Sequence, residues 1–154
     1  MKLSDILCFE ATVAQFDTTD RDSVIRELVD ALSAAGKLGS AKAEAVTKAV
    51  ITREEEASTG LGKGVAVPHV KCDGLSDTIA AIGRSSDGID FASLDKKPTY
   101  TVILLLSPAG NPDKHLQAME SIFRNLQNDD FRRFLRQAQT AGKIREVVLD
   151  CQAE

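Results

Sequence analysis

The sequence predicts an α/β (α+β) protein in which helices flank a single small mixed β-sheet. Three observations carry that expectation. The segment TYTVILLLSP, Thr99 to Pro108, is continuously apolar from Val102 to Leu106, the pattern of a strand covered on both faces. Helix-period segments lie on both sides of it, at 21–35 and 40–52 before and from 111 onward after. Between them stand short apolar runs bounded by glycine or polar residues, which read as further strands. Such a strand must be roofed by helices to keep both faces dry.

Taken in order, Val24, Ile25, Leu28, Val29 and Leu32 recur at helical spacing, after the capping candidates Thr18, Thr19 and Asp20 and before Gly36 as a stop. Ser40 can cap a second helix running to about Thr52, with Ala43, Val46 and Val50 inward and Lys42, Glu44 and Lys48 in water. Val65 to Val67 reads as a short buried strand, Thr78 to Arg84 as another and Gly88 to Ala92 as a minor one. After Pro108 the run AGNPDK turns the chain into a helix carrying Leu116, Met119, Ile122, Phe123 and Leu126. Asn111 or Asp113 is its cap, and Pro112 is tolerated in its first turn. His115 then sits at a helix N-terminus beside a strand end. Asp129 or Asp130 opens another helix through Phe131, Phe134, Leu135 and Ala138, and Ile144, Val147, Val148 and Leu149 mark a last short one. With no repeat, no low-complexity linker and no second core pattern, residues 1–154 are expected to form one domain.

Composition excludes several classes of function. A chain of 154 residues that is 43% hydrophobic and 27% charged is expected to bury a real core without metal or disulfide staples. The net charge is -4 and the basic residues are dispersed, which argues against a nucleic-acid partner while leaving room for a basic protein partner. No run approaches the roughly eighteen apolar residues of a membrane span, and MKLSDILCFE lacks the regions of a signal peptide, so a cytoplasmic protein without membrane insertion is expected. Cys8, Cys72 and Cys151 are odd in number and far apart, so they are expected to be reduced thiols.

Chemistry concentrates in STGLGKGVAVPH, residues 58 to 69. Gly60, Gly62 and Gly64 strip side chains from a loop whose backbone N–H groups could then cradle a phosphate, with the Ser58 and Thr59 hydroxyls as further donors. The same glycines serve equally as a tight entry into a strand. Neither the dinucleotide G-x-G-x-x-G nor the P-loop pattern is met, because Lys63 is followed by Gly64. His69 follows Pro68, whose fixed φ gives the approach a stiff geometry. A neutral imidazole, with an ordinary pKa of about 6.5, is an available nucleophile. One ring nitrogen can carry a phosphoryl group while the other donates a hydrogen bond that fixes the tautomer. Only one other histidine, His115, exists in the chain. His69 and Cys72 have an H-x-x-C spacing, yet no compact ligand set accompanies them, so no metal or other cofactor is expected. Arg53, in ITREEEASTG, is either a solvated helix end favoured by the dipole or a planar fork over the loop that pairs with phosphate oxygens.

The stretches ITREEEASTGLGKGVAVPHVK and SPAGNPDKHLQAMESIFRNL together resemble the EIIA domain of the fructose and mannitol class of the bacterial phosphoenolpyruvate-dependent sugar phosphotransferase system. That class includes the stand-alone nitrogen-regulatory EIIA proteins. The resemblance runs from LSDIL to the last helix. It implies the EIIA fold, a mixed sheet flanked by helices, and a phosphohistidine intermediate. It assigns His69 as the residue phosphorylated on Nε2 by the phosphohistidine of HPr or NPr, His115 as the second active-site histidine and Arg53 as the active-site arginine. Val70 stands where many nitrogen-regulatory members have glycine, which bears on the subgroup and not on the phosphorylation site. The expected mechanism makes His69 nucleophile and carrier, His115 a donor to the phosphoryl oxygens, and Arg53, Ser58, Thr59 and the Gly60 to Gly64 backbone the electrostatic cradle. Two roles follow: a regulatory protein whose phosphorylation decides which target it binds, or a sugar-uptake component that passes phosphate to a separate EIIB. The absence of EIIB and EIIC segments from these residues favours the former.

Overall fold

The computed structural model describes residues 1–154. Two short 3-10 turns, Leu3–Asp5 and Phe9–Ala11, lead into helices α1 (Arg21–Ala34) and α2 (Ser40–Glu56). Strands β1 (Gly60–Gly62), β2 (Val65–Ala66), β3 (His69–Cys72), β4 (Ile79–Ile89) and β5 (Thr99–Pro108) follow, then helices α3 (Pro112–Leu126), α4 (Asp129–Gln137) and α5 (Ala141–Cys151).

β5 has the bounds its apolar run predicts. β4 pairs with it antiparallel from Ile79↔Leu106 to Ile89↔Thr99. On the other edge β2 and β3 both run parallel to it, Val65 beside Thr101 and His69 beside Leu105. They are two pieces of one line broken at Val67–Pro68. β1 pairs antiparallel with β2 and closes that side. Beyond β4, isolated bridges Leu7↔Ala80 and Val13↔Gly83 let the N-terminal segment cover the free edge, one of the ordinary ways of protecting exposed ladder groups.

Successive β5 side chains point to opposite faces, so the apolar run feeds two cores at once. Val102, Leu104 and Leu106 join α1 and α2 through residues such as Ile25, Leu28 and Val50. Ile103 and Leu105 join α3, α4 and α5 through Ile122, Phe131 and Val148. Four of the five helices start on a side-chain cap. Asp20 accepts from the Ser23 N–H, Asn111 from Lys114, Asn128 from Phe131 and Thr140 from Lys143.

Several expectations need correction. Ser40 is the first residue of α2, and the cap position belongs to Gly39, which has no side chain to offer. α2 also continues past Thr52 to Glu56, because the inward stripe of Ala43, Val46 and Val50 extends through Thr47 and Glu54. The two strand pieces at 78–84 and 88–92 are one strand, β4, with an irregularity in register between Arg84 and Ile89. A further strand, β3, follows the predicted Val65–Val67 run: His69 begins it, and HVKC becomes strand only through its pairing with β5. In α3 the buried stripe passes through His115, Ala118, Ile122, Asn125 and Leu126, which rotates Leu116 into solvent at 59% exposure. Phe134 and Leu149 are exposed as well.

Candidate active site at the carboxyl end of the central strand

Alternation along β3 sends Val70 and Cys72 toward the α1–α2 core, leaving His69 and Lys71 on the opposite face, where α3 lies. β5 ends at Pro108, and a short turn capped by Asn111 starts α3, so His115 lies in the first turn of that helix. The two imidazoles face each other with ring centroids 5.7 Å apart and planes inclined at 47°. The structure therefore brings together the chain's only two histidines, which are 46 positions apart in sequence.

Each ring is held through Nδ1. His69 Nδ1 lies 2.8 Å from the Val67 carbonyl oxygen. A carbonyl can only accept, so this nitrogen carries the hydrogen and the neutral ring has its lone pair on Nε2. Val67 itself is fixed, its N–H donating to the Thr59 carbonyl at 3.2 Å. Pro68 contributes its carbonyl to the Leu105 N–H at 3.0 Å, which holds the break in the strand line against β5. His115 Nδ1 is 2.7 Å from the Ser107 hydroxyl. His115 is only 9% exposed. Burial pushes its pKa below the ordinary imidazole range, and positive charge at His69 and Lys71 acts in the same direction. Nε2 of each ring makes no hydrogen bond within the protein and reaches solvent.

Arg53 occupies the last turn of α2, in the helix layer on the other face of the sheet. Its Nη1 donates to the Ala57 carbonyl at 2.9 Å, at the helix end, and its other guanidinium N–H groups make no bond within the protein. The neighbouring Glu54, which sequence reasoning left without a role, is 2% exposed and holds both the Thr59 N–H (2.6 Å) and the Thr59 hydroxyl (2.7 Å). Glu54, Thr59, Val67 and His69 thus form one chain of hydrogen bonds from the end of α2 to the imidazole. The signal for Glu54 was present in its position: an acid on the inward stripe of a helix requires a buried partner.

The expected phosphate cradle divides in two: Thr59 and Gly60 pair beside Val67 and Ala66, next to His69, whereas Gly62 and Gly64 lie farther off. The Ser58 hydroxyl donates to the Phe91 carbonyl and accepts from the Gly60 N–H, and the Thr59 hydroxyl is bound to Glu54, so both hydroxyl protons are engaged. Gly62 and Gly64 lie at the far end of the β1–β2 hairpin. Val65 is beside Thr101 and His69 beside Leu105, four residues along β5 or roughly 13 Å. Their glycine identity answers to the turn, where φ is 88° at Gly62, 57° at Lys63 and 80° at Gly64. Gly60 answers to packing: a Cβ there would press on Ser93, 3.0 Å from its Cα. Of the two readings of this loop, tight strand entry accounts for all three glycines.

Comparison with known proteins places this chain in a family. The family model "Phosphoenolpyruvate-dependent sugar phosphotransferase system, EIIA 2" matches residues 7–151. The chain belongs to that family. A fructose-specific EIIA component from Haloferax volcanii is 31% identical, with 96% of this chain and 95% of that protein covered. A nitrogen regulatory protein from Bradyrhizobium diazoefficiens is also 31% identical, with the same coverage of 96% and 95%. A fructose-specific EIIABC component from Bacillus subtilis is 31% identical over 96% of this chain, which spans 23% of that longer protein. Among solved structures, nitrogen regulatory protein IIA-Ntr from Neisseria meningitidis superposes with a TM-score of 0.83 at 24% identity, covering 95% of this chain and 98% of that one. The Escherichia coli complex of enzyme IIA mannitol with phosphorylated enzyme IIB mannitol gives 0.75 at 18% identity, covering 92% and 95%. Both structures share the fold of helices around one open mixed sheet. The chain is a phosphoryl carrier of the EIIA type, and no helix in it is long and apolar enough to cross a membrane.

Two outcomes are expected from this geometry. Gly64→Ala, at a position with φ of 80°, should lower stability to urea by about 1–2 kcal/mol while leaving the His69 and His115 ring resonances in place. Movement of those resonances would return the turn to the site. For His115, the folded pKa is depressed, so below about 6.5 the unfolded chain binds a proton there that the native chain does not. Stability should therefore fall as pH drops from about 6.5 toward the depressed folded value. That loss should be smaller in His115→Asn, and an NMR titration should put the His115 midpoint below the ordinary imidazole range.

Proposed function

We propose that residues 1–154 act as one cytoplasmic carrier unit that accepts a phosphoryl group on His69 Nε2 from the phosphohistidine of HPr or NPr. The observation that supports this most directly is the His69–Val67 bond, since it keeps the proton on Nδ1 and leaves the Nε2 lone pair facing outward. That lone pair attacks phosphorus in line. The new N–P bond forms as the donor's N–P bond breaks, and the donor imidazole recovers its electron pair. Nδ1–H stays on the Val67 carbonyl throughout, so the phosphorylated ring keeps its orientation. The transition state of such a transfer is loose, and catalysis consists of positioning and of donors aimed at the equatorial oxygens.

In this reading His115 supplies one donor from across the 5.7 Å gap between rings, and Arg53 supplies the cationic fork by exchanging its Ala57 contact for phosphoryl oxygens. Ser58 and Thr59 act by supporting the histidine's backbone, their hydroxyl protons being engaged. With phosphoenolpyruvate, enzyme I and a carrier, His69→Ala should take no acid-labile label, and label at undiminished level would overturn the assignment. His115→Ala should be labelled slowly or pass the label on poorly. Arg53→Ala should slow transfer roughly a hundredfold, the usual loss of about 3 kcal/mol for one stabilising group, and Arg53→Lys should repair it only in part. Wild-type rates in Arg53→Ala would reduce that residue to a helix-end cap.

We further propose that the carrier is regulatory, in the manner implied by its nitrogen-regulatory relative. Phosphorylation adds up to about two negative charges to a docking face and so changes which target binds. The equally similar fructose-specific relative favours a second reading, delivery to an EIIB partner for sugar uptake. Pull-downs with the phosphorylated and unmodified protein should recover different partners. Recovery of an EIIB protein alone in both states would decide for transport.

A further inference from the structure

Ser107 lies near the end of β5, is fully buried, and has Lys71 of β3 as its register partner. It shares a face with Ile103 and Leu105, the face on which α3 packs, so its hydroxyl meets His115 Nδ1 at 2.7 Å. The hydroxyl makes no other hydrogen bond in the protein. Two proton arrangements are open to this pair. Were Nδ1 to carry the ring hydrogen and donate, the Ser107 hydroxyl proton would be buried with nothing to accept it. With Ser107 as donor and Nδ1 as acceptor, no group is left unsatisfied, and the ring hydrogen resides on Nε2. Burial favours the neutral ring, in which one nitrogen carries the hydrogen and the other the lone pair.

On the carrier reading of His69, we propose that Ser107 is a positioning residue that locks His115 as the Nε2–H tautomer and so makes it a hydrogen-bond donor toward the phosphoryl site. The two histidines are then set oppositely by the group behind each Nδ1. The Val67 carbonyl can only accept, which leaves a lone pair on His69 Nε2. The Ser107 hydroxyl donates, which leaves a hydrogen on His115 Nε2. One ring is shaped as nucleophile and its neighbour as donor, although the residues are chemically identical.

The test reads the tautomer apart from the chemistry. Long-range 1H–15N NMR of the full chain should show His115 as a single Nε2–H form, and His69 as Nδ1–H. In Ser107→Ala the His115 signals should become those of a tautomer mixture, and phosphoryl transfer should fall about tenfold, the lower range seen when a group that orients a functional histidine is removed. Ser107→Thr keeps the hydroxyl and should restore both readings. Ser107→Val has the same shape without the hydroxyl and should restore neither, which separates orientation from packing. An Nδ1–H form of His115 in the wild type, or an unchanged tautomer and rate in both Ser107→Ala and Ser107→Val, would overturn the proposal. A wild-type protein that takes no label would count against the carrier reading, while the tautomer pattern would still decide whether Ser107 sets the ring.

Discussion

Everything at the site hangs on β5 being immobile. Its five central aliphatic residues are wholly buried, alternating between two cores, and both of its edges are hydrogen-bonded. Full burial of each such side chain contributes about 1.5–3 kcal/mol, so shifting this strand would disturb both cores and three pairings together. The register with β3 then fixes His69 beside Leu105, and the direct run from β5 into α3 fixes His115 and Ser107. Transfer between imidazoles depends on reacting atoms being placed before they meet, which a strand clamped on every side can provide and a surface loop cannot.

The break at Val67–Pro68 is what sets the ring of His69 apart from an ordinary place in the sheet. Val67 uses its N–H on Thr59 and its carbonyl on the His69 ring, while Pro68 keeps the line attached through its carbonyl to Leu105. A proline is tolerated there because it has no N–H to be left unpaired. The buried carboxyl group of Glu54 sits behind this arrangement and accepts from both the N–H and the hydroxyl of Thr59. The last turn of α2, which carries Arg53, is thereby tied to the imidazole's own support from the other side of the sheet. Substituting Glu54 would therefore act on the histidine at a distance of three hydrogen-bonded links, without touching it.

How far the sequence discloses this depends on whether a feature is local. β5, α1 and the apolar spans of α3 to α5 are written in their own periodicity and caps, and they lie where the pattern puts them. β3 has no such signature, since His-Val-Lys-Cys alternates weakly and becomes a strand only by pairing with residues more than thirty positions away. The proposed roles of His69, His115 and Arg53 come from the family resemblance, whereas the partners behind each ring have no signal in sequence, because Val67 and Ser107 acquire meaning only from distances. The glycines show the opposite failure. G-x-G-x-G is compatible with an anion cradle or a tight turn, and only the positive φ values and the register along β5 separate the two. Polar residues on buried stripes, such as Glu54, Ser121 and Asn125, escape a hydropathy reading for the same reason.

A carrier differs from an enzyme that holds an intermediate to completion, for it must let go of what it binds. Charge-assisted hydrogen bonds to a phosphoryl dianion would deepen the phosphorylated state, and two imidazolium rings side by side would also repel each other before any phosphate arrived. A buried, neutral His115 avoids both difficulties. It offers a single uncharged donor, leaving positive charge to the guanidinium of Arg53 and to Lys71 on the same face as His69. Burial of His115 against β5 and the hydroxyl of Ser107 behind it act in concert, the first removing the charge and the second directing the remaining proton outward. On the carrier reading, this keeps the energy of the phosphorylated histidine close to that of its donor and acceptor, the condition under which a phosphoryl group can move in either direction along a chain of carriers.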